Sequence, residues 1–103
     1  MSADNDPLLW LQAFMVEQCD GEWEHDFGIE IASTDNPGWR VVIDLTGTAY
    51  EDLQLSSNPL RSGGDIVLRV DNKVFDGSGG VTELTKILHS MKSVLVSSRA
   101  SNT

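Results

Sequence analysis

The most chemically capable residue types crowd into one short run, Cys19-Asp20-Gly21-Glu22-Trp23-Glu24-His25. A thiol near an imidazole could form a thiolate nucleophile for hydrolysis or sulfur transfer. The surroundings of Cys19 oppose this. It falls at the end of an expected helix, where the dipole disfavours a thiolate, and the neighbouring carboxylates do the same. No dedicated oxyanion donor is in view, so packing is the role left to Cys19. One Cys and one nearby His also fall short of the paired spacing of a zinc site, and the acids do not follow a calcium loop. His25 lands on the inward side of an expected strand, as a core histidine with a hydrogen-bond partner, and His89 lies at the boundary of a helix. Gly77-Ser78-Gly79-Gly80 before a helix invites a phosphate-loop reading, but no Lys follows at the required spacing. That run reads instead as a flexible joint. No cofactor and no metal are expected. A small enzyme using Cys19 and His25 is the alternative to a binding protein.

Charge is the stronger signal. The first 39 residues hold nine acids and no Lys or Arg, and the first base is Arg40. From there to the C-terminus seven acids balance seven bases, so the whole net charge of −9 resides in the first part. Such asymmetry makes a one-sided negative field that attracts a cationic partner and repels nucleic acid and anionic lipid. The candidate binding residues are Asp20, Glu22, Glu24, Asp26 and Glu30, with Glu24, Asp26 and Glu30 alternating along one strand face. Like charges in a row on a strand repel one another. A solvated face tolerates this, and a site for a basic partner would explain it.

The elements that position these residues follow from periodicity. Asp6 before Pro7 is a helix start, and Leu8, Leu11 and Met15 recur at helical spacing to about residue 18. Asp20-Gly21 ends that helix. From Trp23 the period changes to two, with Trp23, His25, Phe27, Ile29 and Ile31 on one side, and it recurs in Trp39, Val41, Ile43 and Leu45. Asp35-Asn36-Pro37-Gly38 joins the two strands as a type II turn with positive φ at Gly38. Weaker strands are expected at about 51–56, at Ile66 to Val70 and at Lys73 to Phe75, then a second helix over about 81–96 and a disordered tail from Ser97. The fold class is α+β, an antiparallel sheet of four to five strands with N-terminal and C-terminal helices packed on one face. Trp23, Phe27, Ile29, Trp39, Val41 and Ile43 should be buried beneath them. The opposite face would carry Glu24, Asp26, Glu30, Arg40 and Asp44.

The 103 residues make one domain, 1–103, ordered over about 6–96. A lone cysteine fits a reducing compartment. No apolar run approaches a membrane span, and the acidic N-terminus lacks the form of a signal peptide, so the expected location is cytoplasmic.

Trp10-Leu11-Gln12, the Cys19 to His25 run with Gln18 before it, Gly28-Ile29-Glu30-Ile31, Asp35-Asn36-Pro37-Gly38-Trp39 and Ile43-Asp44-Leu45-Thr46-Gly47-Thr48 resemble the immunity protein 53 family, and Phe75-Asp76-Gly77-Ser78-Gly79-Gly80 is a fainter echo. These are small bacterial proteins paired with polymorphic toxins. The resemblance implies a cytosolic inhibitor, not an enzyme, whose partner is a cognate toxin. Many toxin domains are nucleases with basic grooves, which an acidic surface could cover.

Overall fold

A computed structural model describes residues 6–55, 57–61 and 65–100. The chain runs α1 (Pro7–Gln18), α2 (Trp23–Asp26), β1 (Ile29–Thr34), β2 (Gly38–Asp44), β3 (Leu60–Arg61), β4 (Val67–Asp71), β5 (Val74–Gly80) and α3 (Leu84–Ala100). The strands form one antiparallel sheet in the order β1-β2-β5-β4-β3. The α+β class, the five-stranded antiparallel sheet and the two terminal helices match the sequence reading.

Local chemistry starts α1 as expected. Asp6 accepts from the amides of Leu8 at 2.9 Å and Leu9 at 3.4 Å, and Pro7 occupies the first turn, where its missing N–H costs nothing. The helix ends at Gln18, with Cys19 donating its amide to Met15. In β2 the alternation holds, with Val41 and Ile43 buried and Arg40, Val42 and Asp44 turned to the other face. Helix α3 packs on β5 and β2, and α1 packs on α3. Ile87, Leu88, Met91 and Leu95 at helical spacing meet Val41, Ile43, Leu68 and Phe75 in one core, to which α1 adds Leu11 and Phe14. Each fully buried side chain of this kind stabilises the fold by about 1.5–3 kcal/mol. Among the described residues, no helix is long and apolar enough to cross a membrane.

The largest departure concerns the glycine run. Residues 77–80, expected as a flexible joint before a helix, complete β5, the middle strand of the sheet. The register places Gly77 between Val41 and Leu68, on the face that α3 covers. A Cβ built on Gly77 would lie 2.8 Å from Ile87 Cγ2 and 2.9 Å from Met91 Sδ. The glycines are there so that α3 can lie close against the sheet. The fifth strand is accordingly longer than the Lys73 to Phe75 expected. It follows a two-residue turn in which Asn72 and Lys73 both have positive φ, the geometry that suits a tight hairpin.

Other expectations shift as well. No strand occurs over 51–55; this stretch turns and buries Leu53, while Ser56 lies outside the described residues. The short strand on that side is β3 instead. Helix α3 begins at Leu84 and continues to Ala100, past the expected start of a disordered tail, and residues 101–103 lie outside the described set. Gly38 does not have a positive φ. Its reason is contact: a Cβ there would collide with the carbonyl oxygen of Gly79. Trp39 is half-buried and donates its indole N–H to the Val81 carbonyl at 2.9 Å.

Candidate functional site

The strand expected from Trp23 is absent before Ile29, because the acids around it bond to their own backbone. Asp20 Oδ1 accepts from the amides of Glu22 and Trp23, both at 2.9 Å. Glu24 reaches back to the amides of Asp20 at 3.0 Å and Gly21 at 2.9 Å. Short acidic side chains compete with strand pairing in this way, and together these bonds satisfy the donors that begin a single helical turn. Gly21 supports the turn with φ +93°. The amides of Trp23 and Glu22 hold the Asp20 carboxyl below its ordinary pKa, against a small opposing effect of desolvation. The Glu24 carboxyl is also held low, by its own amide first, then by those of Asp20 and Gly21, with a small contribution from His25.

One side chain ties this turn to the core. Trp23 is buried, its indole N–H donates to the Asp44 carbonyl at 3.2 Å, and its ring meets Phe14 edge-on at 6.4 Å. Because Trp23 to Asp26 is helical, the two-residue alternation breaks there. Phe27, expected inside, is 45% exposed, and Ile29 is only partly buried. Glu24 and Asp26 leave the sheet face on which they were expected, while Glu30, Arg40 and Asp44 remain on it.

The five candidate acids therefore divide by what they touch. Asp20 and Glu24 hold the turn, Glu22 and Asp26 are exposed beside it, and Glu30 is exposed on β1 opposite Val42. Glu30 acts on Arg40, whose guanidinium is stabilised chiefly by Asp76. Arg40 donates Nε and Nη2 to Asp76 Oδ2, at 3.0 and 2.7 Å, on the open face of the sheet. That face carries both signs of charge; the 20–26 turn carries acids and His25 alone. Cys19, expected to pack, is exposed, and so is His25, expected in the core. Among the described residues no cluster of three His, Cys, Asp or Glu side chains could hold a metal ion.

One concavity escaped the sequence reading. A cleft of about 380 Å³ opens between the β1–β2 turn and the end of β5, lined by Thr34, Asn36, Pro37, Trp39, Ser78 and Gly79 among others. It exists because the register sets Trp39 opposite Gly79 and Gly38 opposite Gly80. Two runs distant in sequence meet there, and only the assignment of residues 77–80 to a strand could have revealed it.

The family model described as immunity protein 53 matches residues 8–95, from the first turn of α1 to the last third of α3, and includes both the acidic turn and the glycine-rich strand. No match is found among curated proteins or among solved structures. With most of its length matched, the chain belongs to the immunity protein 53 family.

Proposed function

We propose that the chain neutralises its cognate toxin by setting the acidic surface of Asp20, Glu22, Glu24, Asp26 and Glu30 against a basic face of the toxin, such as the groove in which a nuclease holds its polyanionic substrate. Membership of the family makes the chain an immunity protein, which implies that it binds a cognate toxin. The observation that carries the finer reading is the charge distribution. No Lys or Arg occurs before Arg40, and Glu22, Asp26 and Glu30 all reach solvent. A concentrated field of one sign raises the rate of encounter with an opposite field by about 10- to 1,000-fold, and salt removes that gain. The cytosol is the compartment where such a partner would be met.

The capping geometry selects the variant. Glu24→Lys would break two bonds to the turn, so it tests folding as much as binding. Glu22→Lys with Asp26→Lys leaves every one of those bonds in place. The double variant should melt with the parent, bind the toxin more slowly at low salt, and protect cells less. The parent's association rate should fall steeply as salt is raised. A salt-independent rate, or full protection by the double variant, sinks this reading and leaves the acids as a solvated face.

A further inference from the structure

We propose that the free edge of β1 is where the partner docks, with an extended segment of the toxin, bearing Lys or Arg among apolar residues, joining the sheet as a sixth strand. This rests on the reading that the chain binds a toxin on its acidic side, and it specifies how the contact is made.

The backbone supplies the first argument. The Asp44 amide donates to the Gly28 carbonyl at 3.1 Å, which fixes the phase of the ladder between β1 and β2. Backbone groups of an antiparallel strand alternate sides. Glu30, Ala32 and Thr34 therefore turn their N–H and C=O groups toward β2. Ile29, Ile31 and Ser33 turn theirs outward, where the sheet has no further strand among the described residues.

The second argument is that this edge is unguarded. Sheet edges are commonly blunted by brevity, a bulge, a proline or a lysine. The opposite edge, β3, is two residues long. β1 has six residues in unbroken register from Ile29↔Ile43 to Thr34↔Gly38, and contains neither Pro nor Lys. Its one charged residue, Glu30, points its backbone inward. Ile31 is 39% exposed, and Phe27, just before the strand, 45%. The core uses neither fully, which leaves two apolar anchors beside a row of open hydrogen-bonding groups, the arrangement that strand addition requires.

Charge decides the occupant. Asp26 precedes Phe27 and Glu30 precedes Ile31, in a stretch without a base. A second copy of this chain would bring the same acids and no base to this edge, and like charges brought close across a strand pair repel. A segment carrying Lys or Arg meets opposite charge at Asp26 and Glu30.

The test uses the full chain labelled for backbone amide exchange, with the cognate toxin domain as the probe. In the free chain the Glu30, Ala32 and Thr34 amides should exchange slowly, and those of Ile31 and Ser33 fast. Binding should protect Ile31 and Ser33. Ser33→Pro removes an outward donor while sparing the bonds to β2, and Ile31→Lys sets a base against a basic strand. Each should weaken binding by about tenfold or more. Should either variant fold poorly, the exchange pattern of the parent chain decides. Unchanged exchange at Ile31 and Ser33 in a stable complex overturns the edge proposal and leaves the acidic-surface reading standing. Failure of the parent chain to bind overturns both. A dimeric free chain with those amides already protected assigns the edge to a second copy and overturns the proposal as well.

Discussion

The 20–26 turn and the 77–80 end of β5 are both made of residues that weaken regular structure, and they are held by opposite means. The turn is held from within. Asp20 and Glu24 bond to amides at most four residues away, and Trp23 alone connects it to the core. The strand end is held from without. Its glycines offer no side chain, and their places are set by β2 along the whole run, by β4 beside Gly77 and by α3 pressing against Gly77 and Gly79. A region that caps itself can leave its remaining charges to solvent and to a partner. A region shaped by its neighbours has no such freedom.

Trp23→Ala tests the one point where that contrast blurs, and should have the largest effect. Removing a buried indole, its contact with Phe14 and its bond to Asp44 should cost about 3–5 kcal/mol in denaturant unfolding. A loss near zero would mean that the turn stands without its anchor. Next come the close approaches. Gly38→Val sets a Cβ against the Gly79 carbonyl, backbone that cannot swing aside, and should cost about 3 kcal/mol. Gly77→Ala meets the ends of Ile87, Met91 and Leu68, which can shift somewhat, so about 1–3 kcal/mol is expected. If Gly77→Ala is instead neutral in chemical denaturation, α3 is not seated on the glycine as described.

The turn should respond more weakly, and with a pH signature. The folded-state pKa of Asp20 is depressed, so its stabilising contribution is present above the unfolded carboxyl's ordinary value and is lost as pH falls through the folded one. Asp20→Asn should therefore melt below the parent at neutral pH, with the difference closing in acid. A difference that stays constant across that range would place the effect in shape and not in charge. Smallest of all is Cys19→Ser. Cys19 is exposed at the end of α1, so stability and protection from the toxin should be unchanged. Loss of protection would revive the thiol as a working group.

How far the sequence could be read depended on how local the cause was. Asp6-Pro7 announces α1, and the alternation of Val41 and Ile43 announces β2, because caps and periods act through near neighbours. The acidic run is visible as charge, but its shape is not. Trp23, Phe27 and Ile29 keep a period of two that the side chains of Asp20 and Glu24 override. The cleft beside Trp39 was out of reach, since it needs residues some 40 positions apart to pair.

The start of α1, the apolar stripe of α3, the β1–β2 hairpin, the α+β class and the one-sided acidity are legible in the residues alone. Each is written in side chains whose spacing or charge acts locally. It took long-range packing to make a glycine run the middle strand of the sheet, to turn Phe27 to water, to set Gly38 against a facing carbonyl, and to leave β1 as an open edge. Those outcomes turn on which strand lies beside which. Glycines have no side chain to record their neighbours, and an edge is defined by a neighbour that the described residues do not supply.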